Sequence, residues 1–364
     1  MAGTALFENN IFLFNMKKQE LRNKIGEISF RKELSSQQTG GEIIFEDEFS
    51  PEDIEKILIE RMEKTKRQIQ LLKDQGILMS PYLELGAERG QRSLVMENDF
   101  NFKGVASDLS YDMLLTCDHY GNKFGKNKIP LRVCCDAYNL PFLSDSIPFV
   151  FCYETLHHFP NPEPIIKEII RVLSPGGYFF FDEEPCRGIL QFRLFKAKNK
   201  IYSIEAQKRG IVKKIIEYFF YQKSCNEVDH GIIENDSIFL VSWKKMLNLF
   251  KNKNIALTSS KSLFATDIFR PKSPVKLILA YLLGGTMKGI CRKEGTSEGG
   301  SDISDLFRCP DCAEKNIQSK LYKNEKSNLY SCNRCKNVYP EMNKVQFLFP
   351  EKEFKQLYNH LNNN

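Results

Sequence analysis

Between residues 81 and 183, short apolar runs alternate with stretches in which apolar residues recur at helical spacing. Strands that are separated by helical crossovers build a parallel sheet with helices on both faces. The pattern therefore predicts an α/β fold with a doubly wound, mostly parallel sheet, and its predicted strands are 82–83, 104–107, 131–134, 149–152 and 177–181.

The residues before this region combine a helix with a segment that has no clear period. Ser50-Pro51-Glu52-Asp53 is typical of a helix start. Ser can cap the free amides, Pro suits the first helical position, and the two acids interact favourably with the positive end of the helix dipole. Apolar residues then recur at helical spacing as far as Gly76, which ends the helix. Residues 1–49 show no such period, and we expect a loosely structured N-terminal extension.

Further elements and a linker follow the parallel region. We predict a helix over 242–250, a strand over 255–258 and a flexible linker around the Gly- and Ser-rich residues 295–301. The chain therefore divides into an extension (1–49), an α/β domain (50–294), a linker (295–304), a small module (305–350) and a C-terminal tail (351–364).

Composition places the chain among globular proteins. Of its 364 residues, 42% are hydrophobic and 27% charged, which excludes wholesale disorder. No apolar run reaches the roughly 18 residues of a membrane-spanning helix, and the first residues lack the features of a secretory signal. The chain has 11 Cys, an odd number at irregular spacing, which favours reduced thiols over a secreted disulfide scaffold. We therefore predict a cytoplasmic protein without a transmembrane segment.

Four of the cysteines form a regular pattern. Cys309-Pro-Asp-Cys312 and Cys332-Asn-Arg-Cys335 are two CxxC turns with 19 residues between them. Each turn aims two thiolates at one point, and an intervening hairpin would bring the turns together around tetrahedral zinc. Four thiolates leave no coordination position for water, so the predicted site is structural. Two unrelated thiol pairs, or a redox CxxC, remain the alternative.

Acidic residues lie where the first two predicted strands end. Glu84-Leu-Gly86-Ala-Glu88-Arg-Gly90 follows the first strand, and its glycines allow the backbone to approach a nucleoside-bearing ligand. Asp108 closes the second strand, where a carboxylate can accept hydrogen bonds from both ribose hydroxyls. The alternative for Asp108 is a capping residue of the following helix.

A third acid, Asp136, ends the third strand. Its carboxylate can accept a hydrogen bond from an adenine amino group, while the Ala137 amide contacts the adenine ring. Three acids at one sheet edge repel each other. A ligand that offers hydroxyls, an amine and a cationic sulfonium would compensate this repulsion by attractive contacts with each acid.

Three blocks in this region resemble a known family. Residues 136–142, 154–159 and 168–177 match, in order and spacing, blocks of the class I S-adenosylmethionine (SAM)-dependent methyltransferases, in particular the subgroup typified by ubiquinone- and menaquinone-biosynthesis enzymes. The resemblance covers residues 80–185 and implies a Rossmann-like sheet of seven strands. It also implies a SAM pocket formed by Glu84, Gly86, Gly90, Asp108, Asp136, Ala137 and Tyr153.

Two positions depart from the family pattern, and a second resemblance lies further along. Glu88 stands where the family often has Gly, which leaves cofactor affinity open, and Pro148 stands where it has Asp. Residues 307–349 resemble the zinc ribbon of small methyltransferase activators, in which a Tyr-Pro turn follows the second CxxC.

Methyl transfer to an activated sulfonium needs alignment, exclusion of water and, for some acceptors, a base. The candidate bases near the sheet edge are Glu154, His157, His158, Glu183 and Glu184. The two histidines could instead be a packing pair, and the two glutamates could face solvent or cap a turn. The catalytic residue is therefore unassigned.

Charge is the remaining clue to the acceptor. Residues 185–300 contain 21 Lys and Arg against 9 Asp and Glu, and aromatic residues are interleaved with them. A basic cover over the acceptor pocket suits an anionic small molecule, or one linked to a lipid or carrier. Residues 271–283 are amphipathic. They could contact a membrane surface peripherally, or they could form an ordinary core helix with one solvated face. The alternatives are an RNA or protein acceptor, and a non-catalytic scaffold that binds a partner through the zinc ribbon.

Overall fold

Helices and strands alternate along most of this chain, as the sequence pattern predicts. The computed structural model describes residues 20–33, 35, 51–159, 161–190, 238–296, 302–324, 327, 329–358 and 361. The helices are α1 (20–33), α2 (Pro51–Asp74), α3 (Gln91–Asp99), α4 (Tyr111–Lys123), α5 (Glu163–Val172), α6 (Leu240–Leu247), α7 (Pro274–Leu283), α8 (Pro310–Glu314) and α9 (Glu351–Leu357).

The strands belong to a sheet of ten and a separate sheet of three. Strands of the large sheet are β1 (Tyr82–Leu85), β2 (Gly104–Asp108), β3 (Leu131–Cys134), β4 (Ile147–Tyr153), β5 (Leu173–Arg187), β6 (Asn252–Thr258), β7 (Ala265–Asp267), β8 (Gly284–Arg292), β12 (Glu341–Met342) and β13 (Val345–Phe347). Those of the small sheet are β9 (Leu321–Lys323), β10 (Tyr330–Cys332) and β11 (Val338–Tyr339).

The large sheet has the order β12-β13-β3-β2-β1-β4-β5-β8-β6-β7. Strands β3, β2, β1, β4 and β5 are parallel, and β8 and β6 continue the sheet in antiparallel pairing. This part is the predicted mostly parallel seven-stranded sheet, which is confirmed. Strands β7, β12 and β13 extend it beyond seven.

Register brings the ends of the central strands to one edge. Leu85 pairs with Ser107 on one side and with Cys152 on the other, and Asp108 pairs with Cys134. All residues of β1 and β4 are buried, as expected for strands that helices cover on both faces. The carboxyl ends of β1 to β4 therefore lie side by side, where parallel α/β sheets bind ligands.

The C-terminal residues join the large sheet. Strand β13 pairs in parallel with β3, and helix α9 buries Phe354 and Leu357 in an apolar cluster with Phe347 of β13. Residues within the predicted small module thus extend the sheet of the α/β domain. The domain boundaries themselves stay a prediction.

The predicted loose structure of the N-terminal extension is wrong for residues 20–33, which form helix α1. Ile28 of this helix is buried, and Lys24 and Arg31 on the same face pair with acids of the sheet edge. These partners are distant in sequence, but two acid–base pairs spaced by four residues, Glu20 with Lys24 and Glu27 with Arg31, are a local helix signal that the sequence analysis missed. The rest of residues 1–49, apart from residue 35, lies outside the described residues.

Candidate functional site

The turn after β1 needs glycine at two positions. Gly86 and Gly90 both have positive φ, at 63° and 69°. A Cβ atom on Gly86 would lie 2.6 Å from Oγ1 of Thr155, and one on Gly90 would lie 2.7 Å from Sγ of Cys117. The turn is therefore narrow, and its backbone takes a conformation that other residues adopt at a cost.

Glu84, the third residue of β1, ties the strand to the helix that follows the turn. Its carboxylate is buried and accepts hydrogen bonds from the Ser93 amide at 3.0 Å and the Ser93 hydroxyl at 2.5 Å. Burial raises the pKa of Glu84 to about 7. Its contacts stabilise the first turns of α3, and its predicted contact with the cofactor stays a prediction.

Asp108 holds the turn from the neighbouring strand. One carboxylate oxygen accepts from the Glu88 amide and the other from the Ser110 amide, both at 2.8 Å. The capping residue of α4 is Ser110, whose hydroxyl accepts from the Met113 amide. Burial raises the pKa of Asp108 to about 6. Each oxygen keeps acceptor capacity beyond its single donor, and the predicted contact of Asp108 with ribose hydroxyls stays a prediction.

Asp136 lies beside Asp108, because the Cys135 amide donates to the Asp108 carbonyl at 3.0 Å. Its carboxylate accepts from the Tyr138 amide at 3.0 Å and from the Lys24 ammonium at 2.7 Å. Burial raises the pKa of Asp136, against the opposing effect of Lys24. Ala137 begins a short 3-10 helix, Ala137–Asn139, at the same edge.

Glu88, the departure from the family pattern, has positively charged partners. Its backbone has φ of 48°, and its carboxylate accepts from Arg31 at 2.5 Å and from Arg61 at 3.3 Å. Burial acts to raise the pKa of Glu88, but these arginines outweigh it and hold the pKa well below its usual range. The extra acid in the turn is thus matched by cations from α1 and α2.

Helix α2 supplies polar partners that the sequence analysis missed. Arg61 contacts Glu154 at 2.8 Å, and Lys64 contacts Glu183 at 2.9 Å. Gln68 accepts from the Tyr153 hydroxyl at 2.6 Å and donates to Asp182 at 2.5 Å. These three residues have spacings of three and four, which place them on one helix face. That spacing is the signal by which they could have been found.

The five candidate bases lie near the carboxyl end of β4, and no base is singled out. Glu154 and Glu183 have the α2 partners just given, and both have positive φ. Glu184 is buried and accepts from the amides of Thr155 and Leu156, both at 2.9 Å, while Nδ1 of His157 lies 3.1 Å from its second oxygen. Glu184 therefore caps a turn.

His158 packs beside His157, with 4.3 Å between ring centroids and the ring planes tilted by 33°. Burial lowers the pKa of His158 to about 3. A histidine with so low a pKa is neutral across the physiological range and accepts a proton weakly. The role of either histidine in catalysis stays a prediction.

The four cysteines of the two CxxC turns converge. The Sγ atoms of Cys309, Cys312, Cys332 and Cys335 all lie within 4.8 Å of one another, and the first three side chains are buried. Two of the distances are 3.5 Å, between Cys309 and Cys335, and 3.7 Å, between Cys312 and Cys332. Tetrahedral zinc with bonds of 2.3 Å separates sulfurs by about 3.8 Å, so the donor set fits this metal.

The basic region is described in part. Its aromatic positions 192, 195, 202 and 218–221 lie outside the described residues. On α7, Val275 and Ile278 are exposed while Ala280 is buried. Within the described part of the chain, no helix is both long and apolar enough to span a membrane.

Comparison with known proteins shows that the part of the chain with this sheet edge is similar to methyltransferases. A family model described as "Methyltransferase domain" matches residues 83–181. An uncharacterized chloroplastic methyltransferase of Arabidopsis thaliana is 42% identical over 78 residues, which are 21% of this chain and 22% of that protein. A malonyl-[acyl-carrier protein] O-methyltransferase of Marinomonas sp. is 33% identical over 100 residues, 27% of this chain and 36% of that protein. The chain thus spans about a fifth to a third of these relatives' lengths.

Among solved structures, a putative sarcosine dimethylglycine methyltransferase from Galdieria sulphuraria aligns with a TM-score of 0.42 and 14% identity, over 72% of this chain and 98% of that one. The family match spans the strands β1 to β4, the glycine turn and the acids at the strand ends. Residues 83–181 of this chain therefore match a methyltransferase domain.

Proposed function

We propose that this protein transfers a methyl group from SAM to a small-molecule or carrier-linked acceptor that is anionic. The observation that carries the proposal is the juxtaposition of Asp108 and Asp136 on adjacent strand ends, beside a glycine turn that leaves no room for side chains at Gly86 and Gly90. This arrangement lies inside or beside the strands that match the methyltransferase model.

The residues present fit SAM by their chemistry. Asp108 would accept hydrogen bonds from the ribose hydroxyls, Asp136 from the adenine amino group, and the turn from Gly86 to Gly90 would pass close to the methionyl part. SAM supplies a methyl group on a cationic sulfur, which needs no further activation. The chain's own contribution is to align the acceptor and exclude water.

Two observations support an anionic acceptor. The basic excess of residues 185–300 would attract negative charge toward the cover of the pocket. The Marinomonas relative is named for methylating malonyl groups on an acyl-carrier protein, and a malonyl group carries a carboxylate. A lipid-linked acceptor would use the same charge complementarity.

Calorimetry with SAM tests the cofactor proposal directly. Asp108→Ala is expected to weaken SAM binding about 10- to 150-fold, since hydrogen bonds to a charged group contribute about 1.5–3 kcal/mol net. Asp305→Ala is the matched control, because Asp305 pairs with Lys320 at the surface of the cysteine region. A wild-type protein that binds no SAM would exclude the proposed function.

We further propose that the four cysteines hold structural zinc. The metal would lock the two CxxC turns and the small sheet β9 to β11, whose apolar residues are continuous with the main core. Since four thiolates fill the coordination shell, zinc is assigned no step of methyl transfer.

An RNA or protein acceptor is the second candidate, favoured by the same basic region and by the zinc-ribbon resemblance. Incubation with radiolabelled SAM and total tRNA, ribosomes or cell extract separates macromolecular products from small ones. RNA binding should also weaken steeply with salt. The third candidate, a scaffold without catalysis, predicts no transfer to any fraction and no SAM binding. A cytoplasmic location stays a prediction.

A further inference from the structure

Helix α1 lies against the residues proposed to hold SAM. Its Lys24 ammonium is 2.7 Å from Asp136, and its Arg31 guanidinium is 2.5 Å from Glu88. The Glu88 amide in turn donates to Asp108. The two cations of α1 therefore pair with two of the acids at this edge, Asp136 and Glu88.

The apolar side of α1 occupies the same region. Ile28, between Lys24 and Arg31, is buried in one apolar cluster with Ala87 of the glycine turn. Leu21 of α1 packs against this cluster, as does Leu109, the residue that follows Asp108. The helix thus places two cations and an apolar contact at the edge where the adenosyl group and the cationic sulfur of SAM would bind.

Lys24 is held in place from a second direction. Glu353 of α9 accepts from it at 2.8 Å, and Glu20 lies 2.8 Å away one helical turn earlier. Burial acts to lower the pKa of Lys24, but Asp136, Glu353 and Glu20 together raise it well above its usual range. Lys24 therefore stays charged, and its ammonium lies on one of the two Asp136 oxygens, where a ligand amino group would also bind.

We propose that α1 is an intramolecular competitor of SAM, an autoinhibitory helix that must leave the sheet edge before the cofactor binds. This inference rests on the proposed function, since it takes SAM as the ligand. Lys24 occupies the Asp136 oxygen that would otherwise accept from the adenine amino group, and Arg31 neutralises the negative charge of Glu88 in the turn. Displacement of α1 consumes part of the binding free energy of SAM, so weaker α1 contacts give tighter SAM binding.

Hydrogen exchange on the unmodified protein distinguishes competition from closure. With saturating S-adenosylhomocysteine, backbone amides of residues 20–33 should exchange faster than in the free protein, because the displaced helix loses its contacts. Slower exchange in the same residues would mean that the helix closes over the ligand, and would overturn the proposal.

The substitution Lys24→Met tests the same point by affinity. Removing the ammonium should tighten SAM binding about three- to tenfold, because SAM then no longer has to displace the ion pair of Lys24 with Asp136. Lys32→Met is the matched control, since Lys32 is an exposed lysine of the same helix, and it should leave SAM affinity unchanged. Unchanged or weaker binding by Lys24→Met would contradict competition while leaving the proposed function in place. If neither variant nor wild type binds SAM, the proposed function fails and the inference falls with it.

Discussion

The sheet edge and the cysteine cluster are two candidate sites of opposite construction. At the edge, the acids at the strand ends already have donors within the chain: Glu84 has Ser93, Asp108 has two backbone amides and Asp136 has Lys24. In the cluster, the four sulfurs mainly face each other, apart from contacts such as that of Cys309 with the Tyr339 hydroxyl at 2.9 Å.

The difference indicates how each site depends on its ligand. Carboxylates that are satisfied by the chain keep the edge in shape without a ligand, so a cofactor adds to existing contacts or replaces them. Thiolates that converge on one point repel each other when ionised, and a metal cation is the partner that balances them. We therefore expect the edge to be preformed and the cluster to need its metal for stability. Four predictions test this contrast.

The largest effect is expected at the cluster. Cys332→Ser removes one of four ligands and should abolish retention of zinc, whose binding contributes about 10–16 kcal/mol in structural zinc peptides. Metal content after dialysis and a thermal denaturation curve measure the loss. Cys291→Ser, a buried cysteine of β8, should keep one equivalent of zinc. Full zinc retention by Cys332→Ser would show that the cluster is not a four-ligand site.

At the edge, Gly86→Ala tests whether the turn is rigid. A methyl group there meets Thr155 at 2.6 Å in a backbone of positive φ, so the free energy of unfolding should fall by about 3 kcal/mol. Gly125 also has positive φ but has nothing within 4 Å of its Cβ position, so Gly125→Ala should cost only about 1 kcal/mol. Denaturant unfolding measures the free energy of unfolding of both variants. Equal decreases in the two variants would mean that the turn can shift to accommodate the added methyl group.

The pH dependence of SAM binding and of stability should have opposite signs. Since burial raises the pKa of Asp108 to about 6, SAM affinity should fall about tenfold per pH unit below about 6, as the carboxylate gains a proton. For the free protein, the folded state binds more protons than the unfolded state between about pH 4 and 6. The contribution of Asp108 to stability should therefore rise as pH falls through that window.

Calorimetry and denaturant unfolding between pH 4 and 8 measure the two trends. Zinc content is checked at each pH, because acid also releases metal from thiolates. Asp108→Ala should remove the Asp108 contribution to both pH dependences, while the raised pKa of Glu84 leaves a residual dependence of stability on pH. A SAM affinity that is independent of pH in the wild type would argue against Asp108 as a ligand.

The smallest effect concerns the connection between the two sites. Arg308, next to Cys309, donates to Oδ1 of Asn139 at 2.7 Å and to the Leu140 carbonyl at 3.1 Å. Arg308→Ala should loosen the residues after Ala137 and weaken SAM binding about three- to fivefold, as expected for the loss of one or two hydrogen bonds. Lys320→Ala, whose side chain pairs with Asp305 at the surface, should have no effect by the same calorimetry. Equal affinities for both variants would mean that the sites are independent.

Much of the fold was predictable because its signals are local. The apolar runs that became β1 to β5 and the start of α2 at Pro51 depend on spacings within a few residues. The same holds for the glycine turn, whose positive φ at Gly86 and Gly90 reflects the residue type itself. The acids of the edge were located because parallel strands end at one side of their sheet.

The partners of those acids were not predictable in this way. Lys24 reaches Asp136 across 112 positions of the chain and Glu353 across 329. The pairing of β13 with β3 joins residues similarly far apart, and it converts part of a predicted separate module into an extension of the main sheet. No spacing of residues encodes such contacts, because they exist only after the chain has closed on itself.

By itself, then, the amino-acid sequence determined which elements form, which acids stand at the strand ends and which thiols are paired in turns, since each follows from short-range periodicity and backbone preference. Tertiary structure alone decided what those groups touch: cations of α1 and α2 on the acids, and four sulfurs brought within reach of one another. Charge and burial act through space, and for that reason they depend on the folded arrangement of the chain.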